Sequence, residues 1–269
     1  MQIHQIPIIN YHKISASYDI GITTRHPIHF ENDLKILKEN KFNSVTFSEL
    51  LNNTEIPENP VIITFDDAYK SIIELAMPLM LSYGFKGVVY PVVKYIGQFN
   101  DWDVQAGSLK FKHLSWQNLK EMQRSGFEIG SHTLTHELLT WMNPVQQLVE
   151  LGESKKQLDD QLGICTCSVS YPFGRFNKDT MACAREAGYQ FGLASIYLRT
   201  IEDQIQTHAL KRFNIYRFDT SNQFKKKIAL KENNGVILRD WLIQKGGLGT
   251  AILQSVRKQL RSNGQAVKA

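Results

Sequence analysis

Two adjacent carboxylates, Asp66 and Asp67, end the run VIITFDD at residues 61–67. Neighbouring carboxylates repel, and burying either one alone is costly. The pair therefore either opens a solvated loop or faces a cation. A second set is the histidine pair His132 and His136 in SHTLTH. One helical turn there would put both imidazoles on the same side. Two histidines and a carboxylate form a common metal set that leaves a position for water. One Asp would complete such a site, and the other would stand beside the bound water. A divalent metal brings the pKa of its water to about 7. A carboxylate can take the proton as the nucleophile forms, and the metal with a backbone N–H can hold the oxyanion of a tetrahedral intermediate. This is equipment for hydrolysing an amide or an ester. Taken alone, a histidine is often only hydrogen-bonded. The combination at strand ends is what points to chemistry.

The elements that would position these groups alternate regularly. IPIINYH (6–12), PVIITF (60–65), KGVVYPVV (86–93), EIGSH, CSVSYPFG, FGLAS and LKRFNIYR (210–217) read as strands. PVIITF is apolar throughout, as expected for a strand buried on both faces. Between them lie amphipathic helices: residues 29–42, SIIELAMPLMLSYGF, 115–127 with Ser115 as N-cap and Gly126 as stop, 143–163, and NKDTMACAREAGY. Such alternation predicts parallel βα units, in a barrel or an open doubly wound sheet. No strand leads into a Gly-rich phosphate loop, which weakens the nucleotide-binding version. Functional groups of parallel folds collect at the C-terminal strand ends. His12, Asp66, Asp67, His132 and Tyr171 to Arg175 fall there. Beyond about residue 230 the pattern loosens into two helical pieces hinged at Gly246 and Gly247.

The chain has 269 residues, 42% hydrophobic and 21% charged, which suits a folded soluble protein rather than a disordered one. Its formal net charge is +5, with much of the excess base late in the chain: Lys225, Lys226, Lys227, Arg257, Lys258, Arg261 and Lys268. Such a run is ordinarily a solvated helix face, and the partner it would otherwise suit is an anionic membrane surface. No nucleic-acid partner is expected. Cys165, Cys167 and Cys183 form no even framework and lack the usual zinc spacing, so they read as reduced thiols. The first residues, MQIHQIPIINYHKI, lack a basic segment followed by a long apolar one, and no run reaches about 18 apolar residues. The expected location is the cytoplasm or the cytoplasmic membrane face.

TFDD with Asp66 and Asp67, SHTLTH with His132 and His136, and YPFG at 171–174, in this order, resemble the polysaccharide deacetylase (NodB-type carbohydrate esterase) family. PIINYHKI, GFEIGSHT and AREAGY extend the resemblance over about residues 6–218. It implies an α/β fold, a distorted (β/α)7 barrel at 1–230; residues 231–269, outside the resemblance, are the basic helical extension read from the pattern above. It also implies removal of acetyl groups from N-acetylated sugars. Asp66 would be the general base. Asp67, His132 and His136 would bind a divalent metal, Zn2+ first and Co2+ or another dication next. Tyr171, Pro172, Phe173 and Gly174 would shape the groove wall, with a backbone N–H there for the oxyanion. Trp102 and Trp141 would stack on sugar rings.

Two positions depart from the family pattern. Ser170 stands where many members carry the arginine that orients the base. Arg175 is taken as its substitute, with Arg212 as the alternative. The late Leu-x-His motif, source of the general acid, is replaced by THALKRF. His12 is taken as the acid, with His208 as the alternative. Two other functions remain open at this point: a non-catalytic carbohydrate binder on the same fold, and a hydrolase of a small non-sugar amide or imide.

Overall fold

The computed structural model describes residues 3–17, 21–52, 55–100, 110–195, 207–229, 235, 238–244 and 249. In chain order its elements begin with β1 (Ile8–Tyr11), β2 (Lys13–Ile14), β3 (Thr24–Arg25), α1 (Pro27–Glu39), β4 (Asn43–Ser44), α2 (Phe47–Leu51) and β5 (Pro60–Asp66). A π-helical turn at Ile72–Ala76 runs into α3 (Met77–Ser82), followed by β6 (Val88–Tyr90), α4 (Trp116–Arg124), β7 (Glu128–Ile129) and α5 (Pro144–Leu162). The chain continues through β8 (Ser168–Ser170), α6 (Lys178–Glu186), β9 (Phe191–Ser195), β10 (Leu210–Asn214) and α7 (Ser221–Ile228).

The main sheet is parallel throughout, in the order β7-β6-β5-β1-β10-β9-β8, with β4 added beside the start of β5. Its two outer strands meet. Ser131, just past β7, bridges Val169 of β8, donating its N–H to Ser168 O at 3.0 Å and accepting from Ser170 N at 2.8 Å. The sheet therefore closes into a seven-stranded barrel, and the open doubly wound alternative is not the one adopted.

Alternate residues of each strand serve two layers. Ile9, Ile63, Phe65, Val89 and Ile129 pack against Phe30, Leu34 and Leu37 of α1, Met80 of α3, and Leu119 and Met122 of α4. Their neighbours Ile8, Ile62, Val88, Leu193 and Leu210 form a separate apolar plug with Phe47 and Phe191. Every residue of β5 is consequently buried. Above the plug the barrel interior turns polar, with Asn10, Thr64, Asp66, Ser170 and Arg212 all buried.

The helix signals are local and read as expected. Ser115 caps α4, Asn143 caps α5 with Pro144 at its first position, and Gly163 ends α5 in the left-handed region. Gly130 is required for packing, because a Cβ there would lie 2.2 Å from the Tyr90 ring. Of the late basic run, Lys225 and Lys226 are exposed, but Lys227 is fully buried between Asp219 at 2.7 Å and Asp240 at 2.9 Å. It is a structural cation and no part of a solvated face. Through Asp240, the helical residues 238–244 are tied to the barrel. Trp102, the Gly246–Gly247 hinge, Arg257, Lys258, Arg261 and Lys268 lie outside the described residues.

Candidate active site

Asp66 is the last residue of β5, and its inward register carries its side chain into the polar mouth. Burial pushes its carboxyl up, but the Arg212 guanidinium and the neighbouring imidazoles outweigh this and hold it well below the usual carboxylate range. The contact with Arg212 is a two-pronged fork: Nη1 donates to Oδ1 at 2.9 Å and Nη2 to Oδ2 at 2.8 Å. Asn10 Nδ2 adds a bond to Oδ2 at 3.0 Å and another to Asn214 Oδ1 at 2.9 Å. Asn10 Oδ1 in turn accepts from Thr64 Oγ1 at 2.9 Å and Arg212 Nη1 at 3.1 Å. The carboxylate is thereby fixed from three strands, β1, β5 and β10.

The arginine differs from the one taken from sequence. Arg175 only closes the short turn Pro172–Gly174, through its N–H to Pro172 O at 3.2 Å, and makes no ion pair with Asp66. Arg212 reaches the carboxylate because β10 lies next to β1. Ser170, at the position of the family arginine, accepts from Arg212 Nη2 at 2.7 Å. The serine thus helps aim an arginine that comes from another strand.

Asp67, His132 and His136 come together, each offering one ligand atom, all within 4.8 Å of one another and all buried. Asp67 Oδ1 lies 3.6 Å from Nε2 of both histidines. Two ligand atoms on one tetrahedral zinc ion, each about 2.0–2.1 Å away, are about 3.3 Å apart, so the spacing fits such an ion after a small contraction. His132 Nδ1–H donates to Ser170 O at 2.7 Å, which fixes the tautomer that leaves Nε2 as a ligand. Burial lowers the pKa of both histidines, favouring the neutral form that ligation needs. The donor set and its geometry therefore suit a divalent metal.

The backbone that presents these ligands is not helical. Asp67, Ala68, Thr133 and His136 have φ of 65°, 51°, 66° and 63°, left-handed values unusual for residues with a Cβ. The two imidazoles face one another through this turn, centroids 4.7 Å apart, and not through the helical turn that their spacing suggests. The segment 112–114 holds the first turn: His113 Nδ1–H donates to Asp67 O at 2.6 Å, Leu114 N to Ala68 O at 2.7 Å, and Lys70 N to Lys112 O at 2.7 Å.

His12 follows β1 at the mouth. Burial, opposed chiefly by Asp66, lowers its pKa to about 4. His208 lies before the first residue of β10, at the opposite end of the barrel, and its Nε2–H is given to Tyr189 O at 2.9 Å. It does not reach the site. Tyr171 is fully buried and its hydroxyl donates to His208 O at 3.0 Å, so its side chain supports the wall from behind. Phe173 packs its ring 5.0 Å from that of His136. Gly174 has φ of 63°, and a Cβ there would collide with Ser195 Oγ at 1.9 Å. The N–H groups of Tyr171, Gly174 and Arg175 are given to Leu193, Tyr171 and Pro172 carbonyls. Trp141 is 55% exposed on the turn that follows His136.

Sequence reasoning did not single out Asn10 or His113. Asn10 had one available signal, a polar residue at the inward register of an otherwise apolar strand. His113 had none, because its role depends on a loop returning to the Asp67 turn.

Comparison with known proteins agrees with this geometry. Residues 53–192 match the family model described as polysaccharide deacetylase. A Bacillus subtilis (strain 168) protein, YxkH, whose name places it with the polysaccharide deacetylases, is 32% identical over 195 residues, 71% of this chain. The chain spans 64% of that relative's length. The Staphylococcus aureus poly-β-1,6-N-acetyl-D-glucosamine N-deacetylase is 24% identical over 212 residues, 69% of this chain and 70% of its own. Among solved structures, the Streptococcus pyogenes deacetylase PplD in complex with acetate shares the fold, with a TM-score of 0.71 at 24% identity over 83% of this chain and 97% of that one. Bacillus anthracis BA0330 gives 0.70 at 27% identity, over 83% and 68%.

Proposed function

Because the chain belongs to the polysaccharide deacetylase family, we propose that it is a metal-dependent hydrolase that removes the acetyl group from an N-acetylated sugar. The observation that carries this reading is the grouping of Asp67, His132 and His136 beside an Asp66 held ionised by Arg212 and Asn10. Asp67 Oδ1 and Nε2 of the two histidines would hold the ion. The donor set suits Zn2+, with Co2+ as a working substitute. When bound, the metal supplies an acidified water and positive charge for the oxyanion.

The residues around it have separate tasks. Asp66 takes the proton of the attacking water, and the Arg212 fork keeps its carboxylate aimed while the proton arrives. The Phe173 N–H, in the turn whose Phe173 ring packs on His136, would serve as the backbone donor to the oxyanion. His12 enters neutral, given its depressed pKa. It can therefore pass a proton to the departing nitrogen only after receiving one, and Asp66 is the anion that acts on it most strongly. The Staphylococcus aureus relative acts, by its name, on a polymer of N-acetylglucosamine. This supports a glucosamine-containing glycan as substrate here, with exposed Trp141 available to stack on a sugar ring. A pure sugar binder would have no use for an ionised carboxylate so fixed beside three ligands.

Acetate release from N-acetylated oligosaccharides, with added Zn2+, Co2+ or chelator, tests the reading. Asp66→Asn should keep its metal and lose about 10²–10⁴-fold in kcat. His132→Ala should lose the metal as well. Full activity in Asp66→Asn would remove the base from the scheme.

For the C-terminal end we propose contact with an anionic membrane surface. Beyond Asp240 the sequence has five basic residues (Lys245, Arg257, Lys258, Arg261 and Lys268) and no acidic one, so the whole formal excess of +5 lies there. Leu238 and Leu242, one turn apart, are 49% and 57% exposed just before it. Full-length protein should sediment with phosphatidylglycerol vesicles, and a chain ending at Gln244 should not. Equal sedimentation of the two would reject the contact.

A further inference from the structure

The turn between the two histidines has a problem of its own. Thr133 and His136 both sit in the left-handed region, with φ of 66° and 63°, and Thr133 is β-branched. Each such residue is strained and persists only where its surroundings over-determine it. The turn is also the shared mount of both imidazoles. Any slack in it changes the distance between their Nε2 atoms.

One buried side chain acts on the middle of this turn. Glu150, on the first half of α5, is 7% exposed. Its Oε2 accepts from Leu134 N at 3.1 Å and Thr135 N at 2.9 Å, and its Oε1 accepts from Thr135 Oγ1 at 2.7 Å. Among the described residues no Lys, Arg or His forms an ion pair with it, so its charge is met by these three donors. Successive backbone N–H groups converging on one anion form a concave nest, and such a nest fixes the backbone that makes it. The opposite edge of the turn is pinned by Val93 N to Thr133 O at 3.2 Å and Lys94 N to Leu134 O at 3.0 Å. Glu150 is thus the charged half of a two-sided clamp on residues 133–135, and His132 and His136 flank those residues.

We propose that Glu150 is a positioning residue for the metal site: it sets metal affinity by holding the His132–His136 turn in its ligating shape, without touching ion or substrate. The proposal rests on the metal-site reading above. Glu150 contributes no ligand atom. Its effect is to remove, before the ion arrives, the conformations in which the two imidazoles point apart. Once an ion is bound, the coordination bonds hold the same shape. Loss of Glu150 should therefore show in metal affinity far more than in turnover at saturating metal.

The test measures Zn2+ and Co2+ dissociation constants by chelator competition on the full chain, with the visible Co2+ spectrum as a second readout. Glu150→Gln should weaken metal binding about 10–100-fold, the usual effect of losing a partner behind a ligand. It should alter the Co2+ bands and leave kcat at saturating metal near wild type. Thr135→Val, which deletes one of the three bonds and keeps the carboxylate, should weaken binding about 2- to 10-fold. It covers the case in which Glu150→Gln does not fold. Leu158→Ala, on the same helix but in the apolar core, should lower Tm and leave metal affinity unchanged. Glu150→Gln binding metal as wild type does, or Leu158→Ala losing affinity equally, would overturn the proposal. If the wild-type protein takes up neither ion, the metal-site reading itself fails; if it binds them and the variants bind equally, only the role of Glu150 fails.

Discussion

Two of the buried charge groups among the described residues are built differently from each other. At the junction of α7 with residues 238–244, Lys227 and Arg239 meet Asp219 and Asp240 at 2.6–2.9 Å. Two cations face two anions at contact distance, leaving no room for anything else. At the barrel mouth only half the group is like this. Asp66 is closed off by Arg212 at 2.8 Å, whereas Asp67 stands 3.6 Å from each of two imidazoles. The first group holds an element in place, and the second keeps ligand atoms an ion's width apart. Burial of charge by itself marks neither structure nor chemistry. The spacing between the partners distinguishes them.

The largest effect should come from breaking the closed group. Lys227→Met leaves Asp219 and Asp240 with the half-buried Arg239 as their one cation among the described residues and should cost about 3 kcal/mol in urea unfolding, with kcat of the folded protein unchanged. A loss of turnover at full stability would merge the two groups into one and undo the contrast. At the mouth, acid should bite through His12. Its folded pKa is depressed from 6.5 to about 4, so the fold accommodates the neutral ring. The stability this gives is present above pH 6.5 and lost as pH falls through 4. In metal-free protein, wild type should lose as much as about 3 kcal/mol more than His12→Asn across that window. Parallel pH profiles would show that His12 is solvated and not part of the buried mouth.

Smaller is the expected effect of Arg212→Lys. It keeps the charge and loses the fork, and should lower kcat about 10- to 100-fold with little change in metal content. Equal kcat would make charge alone sufficient and reduce the mouth to the logic of the other cluster. Smallest is Ala68→Gly. It should raise stability by about 1 kcal/mol by relieving a left-handed alanine, a strain found beside Asp67 and absent from residues 219 and 240.

The strands are legible in the sequence because burial on both faces writes itself as runs such as VIITF, and helix ends because caps are local. The candidate site is legible because Asp66, Asp67, His132 and His136 stand at or just past strand ends in the order that the family resemblance gives. What escapes is whatever depends on elements distant in sequence becoming adjacent in space. Arg175 is near the third motif in sequence, but Arg212 is near Asp66 in space, since strand order places β10 against β1. Tyr171 reads as a wall residue, yet its register turns the ring into the core. Lys227 reads as one of three surface lysines, and only the helix phase and the later arrival of Asp240 bury it. Spacing of four suggests helix for the histidine pair, but the turn that forms is set from outside by partners in the 93–95 segment and α5.

The seam of the barrel has a mechanical consequence. β7 and β8 are stitched by one backbone bridge, Ser131 to Val169, and the next stitch above it is a side chain, His132 to Ser170 O. That same imidazole has its other nitrogen available to the candidate metal site. Prying the staves apart would take Ser170 O from His132 Nδ1 and leave the ring free to turn from Asp67, so an ion that fixes this ring should in turn tighten the seam. The Ser170 amide, which crosses the seam to Ser131 O, is where slowed hydrogen exchange would register that tightening.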